Sequence, residues 1–238
     1  MQLTSFFLFL IMASRLWAPA AACEGHDEVT NHPTYVSYCA AEIYAANDGA
    51  HMPSHAAMEL ALAGYWALKH QGELSANDKL TVIDFTLPST EKRLWVFDLD
   101  DQQLLFHTYV AHGQGTGRNM ARHFSNTPQS HQSSLGFFRT GDTYIGKHGL
   151  SLYLDGLEQG INDNARDRYI VIHGADYVST DFIGTHGRLG RSHGCPALPR
   201  ELSDPIIETI KGESCLFIYH GALYRTSLRL PAELTQAG

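Results

Sequence analysis

The sequence predicts a mostly β domain, sandwich-like or barrel-like, preceded by a small helical segment. Three observations carry this. Beyond Leu80, short runs rich in β-branched and aromatic residues alternate with turn-forming residues, as strands do. Before Leu80, apolar residues recur at helical spacing. A hydrophobic content of 44% over 238 residues is enough to fill one core.

Taken in order, residues 1–22 read as an export signal. Phe6 to Met12 is apolar but too short to span a bilayer, and Ala18 to Ala22 offers small residues for cleavage. The stretch is atypical because Met1 to Ser5 carries no lysine or arginine, and Arg15 follows the apolar run. Cys23 raises lipid attachment, which the absence of Leu three positions earlier disfavours. The export signal puts the expected location in the periplasm or cell envelope, and no later segment is long and apolar enough to cross a membrane. Residues 23–79 form the helical segment, with a short helix near Tyr38 to Ala46. A longer one is capped by Ser54 and ended by Gly72, with Met58, Leu62 and Tyr65 on its apolar face. Strands are expected at Leu80 to Phe85, Arg93 to Phe97 and Leu104 to Val110, with Asp98 to Asp101 turning between the last two. After a Gly- and Ser-rich loop from His112 to Ser134 come Leu135 to Arg139, Thr143 to Ile145, Leu150 to Leu154, Tyr169 to His173 and Cys215 to Tyr219. A helix is expected at about Pro205 to Lys211. Trp66 and Trp95 read as core.

A net charge of −8 argues against a nucleic-acid partner. Locally, Arg188, Arg191, Arg200, His186 and His193 crowd one turn, either as a pocket for a small anion or as a solvated loop. Four cysteines do not make a disulfide scaffold in a chain this long, though Cys39 and Cys215 are free to pair. Fourteen histidines invite zinc, but no His-Glu-x-x-His or Cys-x-x-Cys run supports it, and no cofactor is expected.

The chemistry concentrates in Gly190-Arg191-Ser192-His193-Gly194-Cys195-Pro196, with His173-Gly174 ending an apolar run upstream. A cysteine attacks only as a thiolate, so it needs a neighbour that takes its proton. Gly194 allows a sharp turn and offers an N–H to an oxyanion. The alternative is a packing cysteine, for which a turn so poor in large apolar residues is a poor place.

His173-Gly174 followed by Ser192-His193-Gly194-Cys195 resembles the signature of the YkuD-type L,D-transpeptidases. Phe124 to Pro128, Gly146 to Leu152 and Val171 to Tyr177 extend the likeness, which runs from about Leu80 to Tyr224. It implies a YkuD-like β-sandwich catalytic domain over residues 80–230. It also implies Cys195 as nucleophile, His173 as base oriented by the Gly174 carbonyl, and an oxyanion hole from the N–H groups of His193, Gly194 and Cys195. The implied partner is a peptidoglycan stem peptide, and the implied reaction passes through a thioester that releases a D-amino acid. The chain departs from the usual pattern at Pro196-Ala197, where an arginine often follows. Arg191 and Arg188 are candidates for the substrate contact that arginine makes. The 22 positions from His173 to Cys195 are more than in many members.

Hydrolysis by the same site, as an L,D-carboxypeptidase, rivals transpeptidation, because water and an amine compete for one thioester. A non-catalytic wall-binding protein is the third reading. Ser192 either polarises the thiolate or closes the turn. Tyr153, Asp155 and His148 either line the cleft or pack, and His112 and His123 flank a loop placed to act as a lid.

Overall fold

The structure, a computed structural model, describes residues 32–221, 223–228 and 230. The export signal and Cys23 lie outside them. Helix α1 (Pro33–Ala46) begins earlier than expected, with Pro33 in its first turn, where a missing N–H costs nothing. Helix α2 (His55–His70) starts as the sequence indicates, the Ser54 hydroxyl accepting from the Ala57 N–H. Met58, Leu62 and Leu68 are fully enclosed, in one hydrophobic core with the sheet. Gly64 lets α2 approach closely, since a Cβ there would lie 1.9 Å from the Phe137 ring.

The strands are β1 (Lys79–Asp84), β2 (Leu94–Asp98), β3 (Gln103–Thr108), β4 (Gly136–Gly146), β5 (Gly149–Gly156), β6 (Val171–Gly174), β7 (Ala197–Leu198) and β8 (Cys215–Tyr219). They form one sheet in the order β3-β2-β1-β8-β4-β5-β6-β7. Pairing is parallel at β1/β8 and β6/β7 and antiparallel elsewhere. Beyond β3 the chain reaches Ala111, whose N–H and C=O both bond to Ala197 of β7, at 2.9 and 3.3 Å. The two ends of the sheet thereby meet, which leaves it nearly closed and covers edges that would otherwise invite pairing. Trp95, fully buried, anchors the β2 face and donates to the His51 carbonyl at 2.7 Å. Trp66 also lies in the core.

Several expectations need correcting. The segments around Leu135 to Arg139 and Thr143 to Ile145 are one strand, β4, interrupted by a register shift between Thr140 and Thr143. The last helix, α4 (Arg200–Ile210), begins five residues before Pro205, which sits inside it. Tyr169 is no strand residue: its φ of 56° ends a turn, and β6 starts at Val171. Helix α3 (Thr180–His186) was masked by its polar composition, although Ser179 caps it and Gly187 ends it at φ 68°. Cys39 and Cys215, which the sequence left open to pairing, are both buried, on α1 and β8, and no disulfide joins them. No helix among the described residues is long and apolar enough to cross a membrane.

Candidate active site

His173 is held by the sheet. Its strand, β6, lies between β5 and β7, and His173 pairs with Ser151 on one side and Ala197 on the other. The side chain is buried, and its Nδ1 lies 3.0 Å from the carbonyl of Gly174. A carbonyl only accepts, so Nδ1 carries the hydrogen and Nε2 is left as the basic nitrogen. The His148 ring stacks on it from the β4–β5 turn, centroids 4.4 Å apart. Burial lowers the His173 pKa, with His148, Arg200 and Lys147 pushing the same way against the Gly174 bond. The imidazole is therefore neutral near pH 7, as a proton acceptor must be.

Cys195 lies two residues before Ala197, one step along the pleat from His173. Ala197 pairs with His173 in the parallel β6/β7 register, so Cys195, two residues earlier, falls at the level of Val171, whose backbone bonds to the thiol. The half-buried thiol donates to the Tyr169 carbonyl at 3.5 Å. Burial raises its pKa, opposed by the Val171 N–H and by the positive charge of Arg168.

The turn that delivers Cys195 is stitched by hydroxyls. Ser192 Oγ accepts from the Gly194 N–H at 3.1 Å and donates to the Cys195 carbonyl at 2.6 Å. Of the two roles open to Ser192, closing the turn is the one seen. The Gly194 N–H, expected as an oxyanion donor, is thus already used. The N–H groups of His193 and Cys195 bond to no backbone carbonyl among the described residues, and that of Cys195 turns toward its own sulfur. Gly194 has φ 126°, and a Cβ on it would lie 2.8 Å from the Gln132 carbonyl, so only glycine fits. Ser133, buried, accepts from the Gly113 N–H at 3.0 Å and donates to the Gly194 carbonyl at 2.9 Å. The Ser192 N–H bonds to the His112 carbonyl at 3.0 Å, tying the turn to the strand-like segment beyond β3.

The basic residues near the turn do not converge on the cysteine as a group. Arg191 donates to the Gln114 and Gly117 carbonyls, at 3.3 and 3.0 Å, and Arg188 to the Leu189 carbonyl at 2.7 Å. Arg200 pairs with Asp176 at 2.5 Å, while His186 stacks on Phe182. His193 is exposed and stacks face to face on His131, centroids 4.3 Å apart. Tyr153 is half-buried, stacked on Tyr144 and beneath Arg166. Asp155 holds Arg166 through two bonds, at 2.5 and 2.8 Å. His112 cannot belong to a mobile lid. It is buried with Nδ1 2.8 Å from the guanidinium of fully buried Arg93, and burial plus that charge push its pKa down to about 3. His123, by contrast, is exposed.

Arg168 and Ser133 escaped the sequence reading. Arg168 lies in a charged run (Arg166-Asp167-Arg168) that reads as solvated surface, and Ser133 in a loop of many serines. Neither carries a motif, because only the folded loops bring them to the cysteine.

The sequence profile of the L,D-transpeptidase catalytic domain matches residues 50–219. Among solved structures, an L,D-transpeptidase from Stackebrandtia nassauensis is 14% identical. The likeness covers 78% of this chain and 91% of that one, with a TM-score of 0.37. An L,D-transpeptidase from Mycobacterium smegmatis is 12% identical over 60% of this chain and 59% of its own, TM-score 0.37. One from Enterococcus faecium is 13% identical over 60% and 50%, TM-score 0.35. The chain thus spans less than two thirds of the length of several structures it matches. Comparison with curated proteins returns no match.

Proposed function

The chain belongs to the L,D-transpeptidase catalytic domain family, and on that premise we propose that it cross-links peptidoglycan stem peptides through a Cys195 thioester. The observation that supports this is the parallel pairing of β6 with β7, which matches His173, neutral and anchored at Nδ1, to Ala197, two residues past Cys195. Nε2 of His173 takes the thiol proton, and the thiolate adds to the carbonyl carbon at the L-centre of the donor stem. The N–H groups of His193 and Cys195 face the resulting oxyanion, since that of Gly194 is held by Ser192. As the intermediate collapses, the C–N bond breaks and the His173 imidazolium protonates the departing D-amino acid. A second stem's amine, losing its proton to Nε2, attacks the thioester. The thiolate leaves and is reprotonated, restoring the site.

Residues 1–22 serve as an export signal in this reading, which puts the mature protein in the cell envelope where its substrate lies. Arg191 and Arg188 remain candidates for the donor carboxylate, with Tyr153 as a wall of the cleft. The test is mass spectrometry of the protein with disaccharide-tetrapeptide, alongside Cys195→Ala. A dimer lacking one D-alanine, absent with the variant, is the expected result. Tripeptide alone would make the protein an L,D-carboxypeptidase, and full activity in Cys195→Ala would remove Cys195 from the mechanism.

A further inference from the structure

Near the cysteine turn sits a positive charge that the mechanism above leaves unused. Arg168 is half-buried in the turn leading into β6. Four of its N–H groups are engaged: with the Ser125 carbonyl at 2.7 Å, Ser134 Oγ at 2.6 Å, the Gln132 carbonyl at 2.6 Å and Ser130 Oγ at 3.3 Å. Every partner is a neutral oxygen, and no carboxylate among the described residues pairs with it. A guanidinium withdrawn from water without an anion is costly, so such a site is poised to gain when negative charge arrives beside it.

That charge can come from the sulfur. A Cβ on Gly194, the residue before the cysteine, would lie 3.5 Å from Arg168 Nη2. The other groups facing Cys195 fill this role less well. His173 is neutral and serves as the base, Tyr177 is held un-ionised by burial, and His193 is exposed and turned onto His131. Lys147 sits exposed on the β4–β5 turn, where solvent screens it. Arg168 also grips Ser130 and Gln132, on both sides of the His131 that stacks on His193.

We infer that Arg168 is a positioning residue for the nucleophile: the fixed positive charge that favours the anionic sulfur of Cys195, and the brace that sets residues 125–134 against the cysteine turn. This rests on Cys195 being the nucleophile. It predicts that the thiol becomes harder to ionise when the charge is removed, whereas a brace alone would change stability without moving the ionisation.

The experiment follows alkylation of Cys195 by iodoacetamide against pH, with the label located by peptide mass, in wild type, Arg168→Met and Arg168→Lys. Arg168→Met is expected to move the midpoint up by about one pH unit, an approximately tenfold slower reaction at neutral pH. Arg168→Lys is expected to stay near wild type. A wild-type midpoint in folded Arg168→Met overturns the inference. Should that variant fail to fold, Lys147→Met decides: an unchanged midpoint supports Arg168, and a shift of a full unit assigns the charge to Lys147 instead. Failure of the underlying reading looks different, as a wild-type Cys195 that takes no label at any pH while turnover persists in Cys195→Ala.

Discussion

The two groups proposed to react are held by different means. His173 sits within a strand, hydrogen-bonded on both sides and fixed in tautomer by the next residue's carbonyl. Cys195 lies outside any strand and is held by side-chain hydroxyls from Ser192 and Ser133, with Arg168 nearby. The imidazole proposed as base is therefore held by the sheet's ladder, whereas the proposed nucleophile depends on a few bonds that single substitutions can remove. One region is tied into the sheet on both sides and hard to move. The other is easily displaced, and displacement alone is enough to stop it working.

The largest test of this contrast falls on the base. His173→Ala removes the proton acceptor and leaves the β6 ladder intact, so the rate of thioester formation is expected to fall by about 10²- to 10⁴-fold. The fold should persist by circular dichroism. Equal acylation rates for variant and wild type, read by single-turnover mass spectrometry, would break the comparison from the sheet side.

Next comes the nucleophile's turn. Gly194→Ala forces a Cβ to 2.8 Å from the Gln132 carbonyl at a φ of 126°, so the turn must shift although no reacting atom is lost. A loss of about 10²-fold in kcat/KM is expected, the scale of a misplacement near 1 Å. The accompanying stability loss should be about 1–3 kcal/mol. Wild-type kinetics in this variant would mean that the turn is as tolerant as an ordinary loop.

The smallest effect at neutral pH lies behind the turn, at His112. Its folded pKa, down to about 3, is below its unfolded value near 6.5. The unfolded state then binds more protons between those limits. The contribution to stability is complete above about pH 6.5 and is lost as pH falls toward 3, by about 1.4 kcal/mol per unit at most. His112→Gln should flatten this slope relative to wild type in urea melts at pH 7 and 4.5. Parallel slopes would show that His112 does not govern how the cysteine's supporting strand responds to acid.

The strands β1, β2 and β8, the cap at Ser54 and the enclosed Trp95 were legible because alternation, helical spacing and capping are local properties. Cys195 and His173 stood out as candidates because their motif is contiguous with a turn and a strand end. Helix α3 and strand β7 were hidden. One is short and polar, and the other has two residues between prolines, paired only because β6 and Ala111 flank it. Arg168, Ser133 and the Arg93–His112 pair were hidden for the same reason. Their work depends on contacts between residues far apart along the chain, and neither periodicity nor spacing records such contacts.

By itself, then, the sequence determined the mostly β architecture and the helical entry, and it singled out one thiol and one imidazole as candidates. Those follow from local hydrogen bonding and from the types of side chain that can do acyl transfer. Tertiary structure alone decided that Ser192 closes the turn, that the Gly194 N–H is occupied and that Arg168 reaches the cysteine turn. Such assignments turn on distances of a few ångströms between loops, which are set only when the ends of the sheet meet at Ala111 and Ala197.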